Sequence, residues 1–159
     1  MDKELAKALA QSLLGPQADT IVAQIEQQIQ QWGLVLPHTP PLVFDFGTGD
    51  VFHTGETEYW IANELEHGYC GKYLFLLAGQ RCPEHRHTTK HETFFIVKGT
   101  ISMRCEEVVR TMAPGDALAV EPGIAHTFSA IENSLVLEIS KPSVIADNTF
   151  LEKGIGYNR

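Results

Sequence analysis

The sequence predicts an all-β sandwich or small barrel preceded by two amphipathic helices. Three observations carry this expectation. Beyond Pro37 the chain breaks into short β-rich runs separated by Gly and Pro. The links between those runs are too short for crossover helices, so the sheets should be antiparallel. Residues 1–33 instead repeat their apolar residues at helical spacing. With 159 residues, of which 43% are hydrophobic, the chain has the size of one domain and enough apolar material for a core.

Taken in order, Leu5, Leu9 and Leu13 fall four apart, Gly15-Pro16 interrupts, and Ile21, Ile25, Ile29 and Trp32 resume the stripe until Gly33. Stripes this one-sided need a partner surface, which places both helices on the outside of the β unit. Strands are expected near residues 42–46, 59–64, 72–78, 93–97, 100–105, 117–120, 126–129 and 135–140. The division is therefore helices over 1–33 and a β unit over 34–159, in a single structural domain. From residue 148 onward, the pattern fits an ordered segment and a tail equally.

Composition narrows the function classes. Lys and Arg total 12 against 20 Asp and Glu, a net charge of −8 with no basic run, so no nucleic-acid partner is expected. The longest apolar stretch, residues 73–78, is far short of a membrane helix, and Met1-Asp2-Lys3-Glu4 does not open a secretory leader. A soluble, cytoplasmic protein without a membrane partner is the expectation. Cys70, Cys82 and Cys105 form no CxxC pair, which fits reduced thiols.

The chemistry concentrates in histidine. Four of the seven, His85, His87, His91 and His126, lie in one quarter of the chain. His85 and His87 are two apart, so on an extended strand both imidazoles leave the same face and can share one ion. Glu92 follows His87 by five and faces inward only if residues 88–91 turn the chain. His126 follows Pro122-Gly123, a tight turn that can launch a strand with the imidazole inward. Three imidazoles and a carboxylate suit a divalent ion, Mn, Fe, Co, Ni or Zn. His91, beside Glu92, should face solvent. Cys82, three before His85, should point the other way.

These residues carry a resemblance. Gly79, five residues, His85-x-His87, four residues, Glu92, six residues, Gly99 is similar to the first motif of the cupins, and Gly115, Gly123 and His126 are in register with the second. That second motif departs in having Glu121 where a proline is usual and Ala130 where an asparagine is. The resemblance implies a jelly-roll barrel holding a divalent metal on His85, His87, Glu92 and His126. The flanks narrow it: Tyr69-Cys70-Gly71-Lys72, Pro83-Glu84, Thr93-Phe94, Glu138-Ile139-Ser140 and residues 147–150 resemble the D-lyxose isomerase group of cupins. That resemblance implies Mn²⁺, a sugar substrate, a homodimer, and Lys72 and Glu138 pointing at the metal as catalytic residues.

Elementary chemistry agrees with this implication. Interconverting an aldose and a ketose moves a proton between adjacent carbons through an enediol, which needs a base and a site for developing oxyanion charge. Glu138 lies in an apolar run, where a carboxylate is costly unless paired or used, and burial there should raise its pKa. Lys72 could protonate or polarise the sugar oxygen. The alternatives left open are an Fe-dependent cupin dioxygenase, a non-enzymatic metal- or sugar-binding cupin, and a phosphosugar isomerase using Arg81, Arg86, Lys90, Lys98 or Arg104 as a clamp.

Overall fold

A computed structural model describes residues 3–157. Helix α1 (Lys3–Gln11) and helix α2 (Pro16–Gln31) precede eleven strands: β1 (Leu42–Phe44), β2 (Glu56–Glu64), β3 (Tyr69–Leu76), β4 (Arg81–His87), β5 (Glu92–Lys98), β6 (Ile101–Cys105), β7 (Val108–Met112), β8 (Ala117–Val120), β9 (His126–Ala130), β10 (Ser134–Ser140) and β11 (Asn148–Phe150). All ladders are antiparallel, in a six-stranded sheet of order β1-β2-β3-β10-β5-β8 and a five-stranded sheet of order β11-β4-β9-β6-β7. No ladder closes the two sheets into a ring among the described residues, so the expected barrel is here two facing sheets.

Strand alternation builds two apolar layers from one sheet. Leu42, Phe44, Leu74, Leu76, Phe94, Ile96 and Val136 turn inward to meet Cys82, Ile101, Met103 and Phe128 of the other sheet. Their neighbours Val43, Phe75 and Leu135 turn outward, where Ile21, Ile25 and Ile29 of α2 cover them. Ile21 and Ile25 are fully buried there, each contributing about 2 kcal/mol of hydrophobic stabilisation. Pro16 starts α2, where a missing N–H is harmless. Helix α1 stops before Leu13, whose amide instead donates to the Val43 carbonyl, and its buried residues are Glu4 and Ala8. Leu5 and Leu9 pack on the core between the sheets.

Three strands lie outside the expected runs: β4, which carries His85 and His87, β7 and β11. The hairpin from β6 to β7 turns through Glu106, which takes φ 50°. The segment after β10 is ordered: a single 3₁₀ turn (Ile145–Asp147) leads into β11, which pairs with β4.

Candidate metal centre and active-site cleft

The two facing sheets bring the four expected ligands together. On β4 and β9 the register sets His85 directly opposite His126. The ring centroids of His85 and His126 are 4.3 Å apart, those of His85 and His87 4.9 Å, and those of His87 and His126 5.7 Å. One ligand atom from each of His85, His87, Glu92 and His126 falls within 4.8 Å of all the others, and all four residues are buried.

Turns provide the convergence. Residues 88–90 reverse the chain, and the Asp147 carboxylate holds them, accepting from the amides of Thr88 (3.0 Å), Thr89 (3.2 Å) and Lys90 (3.1 Å) and from the Thr89 hydroxyl (3.0 Å). Glu92 then opens β5 facing inward. The Pro122-Gly123 turn is tied to the same region, since Gly123, at φ 88°, donates its amide to the His87 carbonyl at 2.7 Å. Gly99 ends β5 at φ 76°, and a Cβ there would lie 2.2 Å from the Asn133 carbonyl oxygen, so only glycine fits. Asp147→Ala should lower the unfolding free energy by about 1–2 kcal/mol through loss of these charged hydrogen bonds, measured by denaturant titration. Asp147→Asn should lose less, because it keeps one acceptor oxygen.

The donor atoms fit a cation. His85 Nδ1 is 2.9 Å from the Pro83 carbonyl and His126 Nδ1 is 3.1 Å from the Ile124 carbonyl, contacts that keep the proton on Nδ1 and leave each Nε2 lone pair free. Both ring nitrogens of His87, Nε2 of His126 and Oε1 of Glu92 are buried without a hydrogen-bond partner. His126 Nε2 and His87 Nε2 approach Glu92 Oε1 at 2.9 and 3.3 Å. The lone pairs among these unpartnered atoms, gathered in one buried spot, are what a bound cation would satisfy.

Burial, helped by the neighbouring imidazoles, holds His85 well below the usual histidine value. Burial lowers His87 as well. Burial alone would raise Glu92, but the Lys90 charge outweighs it and keeps the carboxyl well below the ordinary carboxylate range.

Glu138 lies on the inward face of β10, opposite Lys72 of β3 and Phe94 of β5. Its Oε1 accepts from Lys90 Nζ (3.0 Å) and the Ser140 hydroxyl (2.9 Å), and its Oε2 is 3.3 Å from Lys72 Nζ. Lys90 Nζ in turn lies 2.7 Å from Glu92 Oε2. The expected rise in the Glu138 pKa is corrected here. Burial does push it up, but Lys72 and Lys90 outweigh that and hold the carboxyl below its ordinary value.

A second correction concerns Cys82. Spacing put it on the face opposite His85, yet both line the cleft, with Cys82 Sγ 3.8 Å from His85 Nδ1. The β4–β9 register slips between Cys82 and His85, around Pro83, and this bulge turns the parity over. His91 is half-exposed and 3.5 Å from Glu121, as expected of a residue facing solvent.

The cleft encloses about 320 Å³, solvent at its mouth included. Sequence reasoning missed several of its walls. Lys90 was weighed only as a phosphate clamp, although its place two residues before Glu92 was a usable signal. Glu56 and Glu58, two apart on β2, face the cleft, and Phe46, Asn148, Phe150 and Tyr157 line the rest. Arg81 and Arg104 are bound to Glu152 and Glu84, and Arg86 is exposed. Lys72 and Lys90 are the cations lining the cleft among the described residues.

Comparison with known proteins places this geometry. The cupin domain family matches residues 73–139. A D-lyxose/D-mannose isomerase of Thermosediminibacter oceani is 31% identical over 141 residues, covering 71% of this chain and 77% of that protein. A D-lyxose ketol-isomerase of Thermofilum sp. is 30% identical over 142 residues, with the same coverage of 71% and 77%. Among solved structures, the L-ribose isomerase of Acinetobacter sp. DL28 in complex with L-ribose shares the fold with a TM-score of 0.73 at 14% identity, over 91% of this chain and 95% of that one. No helix among the described residues is long and apolar enough to cross a membrane. With two relatives of one kind aligned over most of their length, the chain belongs to the D-lyxose isomerase family of cupins and is an enzyme of the sugar-isomerase class.

Proposed function

We propose that the enzyme is a metal-dependent aldose–ketose isomerase acting on D-lyxose and similar sugars through an enediol, with Glu138 as the base. The observation that carries the reading is Glu138: a buried carboxylate, kept ionised by two lysines, in the same cleft as three histidines and Glu92. His85, His87, Glu92 and His126 would hold the ion, Mn²⁺ being favoured by family resemblance. A divalent ion bound there would polarise two neighbouring sugar oxygens and offset negative charge as it develops.

The chain's own residues supply the rest. Glu138 is ready as carboxylate at neutral pH to take the proton from C2 and return it to C1. Lys72 and Lys90 set its charge state. Once Glu138 is protonated and neutral, their hold on it weakens, and a lysine ammonium can give a proton to O1 and regain one from the O2 hydroxyl as the ketose forms. Phe46, Phe94, Phe128 and Phe150 keep the walls apolar, which excludes water from the enediol. Arg81, Arg86 and Arg104 are all engaged or outside, so the cleft favours an unphosphorylated sugar over a phosphosugar. Family resemblance also makes a homodimer our expectation, and light scattering at micromolar concentration giving the mass of one chain would contradict it.

The test is reconstitution with Mn²⁺ and other divalent ions under anaerobic conditions, followed by a screen of free and phosphorylated aldoses. Conversion of D-lyxose or a near relative is expected. Turnover of phosphosugars alone, or substrate-dependent oxygen uptake, would overturn the reading.

The pH dependence of metal retention follows from the histidines. Ligation needs neutral imidazole, and His85 and His87 titrate below the ordinary value of about 6.5. Protons therefore compete at these two ligands at lower pH than at an ordinary imidazole, so metal content should fall only as the pH drops below the ordinary histidine value. Loss of metal centred at or above pH 6.5, in dialysis against buffered chelator, would contradict this.

A further inference from the structure

Strand β2 brings two glutamates into the cleft, and only Glu58 has an evident structural task. Its Oε1 accepts from Lys72 Nζ at 2.8 Å and its Oε2 from Trp60 Nε1 at 2.6 Å. Glu58 stands opposite Leu74 in the β2–β3 ladder, so Glu56 sits one side-chain step further from the Lys72–Glu138 level. It is 4% exposed and lines the same cleft. Its Oε2 is buried without any hydrogen-bond partner.

Such a group needs an explanation. Burying a carboxyl with an unsatisfied oxygen costs stability that an apolar residue at the same strand position would not. Charge order sharpens the point. From Glu58 the cleft alternates in sign through Lys72, Glu138, Lys90 and Glu92. Glu56 stands outside this alternation, beside Glu58, with no salt bridge of its own among those found for the described residues. Burial, then the Glu58 charge and a hydrogen bond with Glu58, push its carboxyl up to about 8, against the pull of Lys72 and a hydrogen bond with Cys82 that leave Oε2 unengaged. At neutral pH it is a neutral acid, which offers both a donor and an acceptor.

A sugar engaged through C1 and C2 at the His85, His126 and Glu138 level must lay its remaining carbons along the rest of the cleft. Resting on the isomerase reading above, we propose that Glu56 is a specificity-determining residue whose Oε2, unpartnered within the protein, hydrogen-bonds one of the sugar hydroxyls beyond C2. The same orphaned oxygen facing only an enclosed water would serve the fold alone, and would be blind to which hydroxyls a sugar carries.

The experiment compares wild type, Glu56→Gln and Glu56→Leu, all metal-loaded, with D-lyxose and its 3-, 4- and 5-deoxy analogues, by steady-state kinetics and by calorimetric Kd. The expected result is that Glu56→Leu raises KM and Kd for D-lyxose by about 10- to 100-fold, with kcat little changed, as when a buried hydrogen-bonding contact is left unmade. For one of the deoxy analogues the leucine variant and wild type should bind alike. Glu56→Gln, which keeps a donor and an acceptor, should recover most of the loss, and neither variant should melt below wild type. An unchanged KM and Kd for D-lyxose in Glu56→Leu, or the same loss for every sugar, would overturn the proposal. Wild type that binds D-lyxose without converting it would sink the isomerase reading and leave Glu56 to be judged on Kd. Wild type that binds none of these sugars would overturn both.

Discussion

Replacing Glu138 by glutamine should lower turnover by about 10²-fold or more while metal content and sugar affinity stay near wild type. Glutamine keeps the length of the side chain and an acceptor for Lys72 or Lys90, but it cannot take a proton from carbon. The competing role for Glu138 is to neutralise the two lysines, and removing one member of a buried ion pair commonly costs about 3–5 kcal/mol. That cost should be small here. Lys72 still has Glu58 at 2.8 Å and Lys90 still has Glu92 at 2.7 Å, so neither ammonium is stranded. A variant that melts within a few degrees of wild type and binds sugar, yet barely turns it over, is the expected outcome. A variant with wild-type kcat and a much lower Tm would assign Glu138 to structure.

His87→Ala should abolish metal binding and activity together while the fold persists. Neither ring nitrogen of His87 has a hydrogen-bond partner within the protein, so truncation breaks no protein contact of that kind. The apolar layers between the sheets and beneath α2 do not include the four ligands. This distinguishes the protein from small domains whose metal supplies most of the folding free energy. Elemental analysis should find near-stoichiometric metal in wild type and almost none in the variant, with unchanged far-ultraviolet dichroism. Global unfolding of the variant, or of metal-free wild type, would contradict the account.

The convergence of His85, His87, Glu92 and His126 was legible because its geometry is local. The spacing of His85 and His87, the turn at residues 88–91 and the Pro122-Gly123 turn each constrain one short stretch, and the pleat does the rest. The helices and most strands were legible for the same reason, in that their apolar periods differ. Strand β7 was missed because Glu106-Glu107 is not a residue pair that announces a hairpin, even though Glu106 adopts the positive φ such a turn requires. Cys82 was misplaced because a bulge at Pro83 changes face parity, and parity arguments hold only for unbroken strands. The direction of the Glu138 pKa shift was misread because burial is visible in an apolar run, whereas Lys72 faces it from a neighbouring strand and Lys90 reaches it from a turn 48 residues away in sequence. Glu56 and the closing segment with Phe150 and Tyr157 join the cleft only through long-range pairing, which no local pattern encodes.

The central claim is that Glu138 moves a proton between adjacent sugar carbons. The direct measurement is the fate of the C2 hydrogen when the metal-loaded enzyme isomerises D-lyxose in D₂O. Glu138 is buried but touches the exchangeable protons of Lys72, Lys90 and Ser140, so solvent deuterium can reach the carboxyl between abstraction and return. The account predicts deuterium at C1 of the ketose, and none above background with Glu138→Gln over the same time. Complete transfer of the original C2 hydrogen to C1 with no solvent deuterium, at a rate that Glu138→Gln leaves unchanged, would mean a hydride shift and would contradict it.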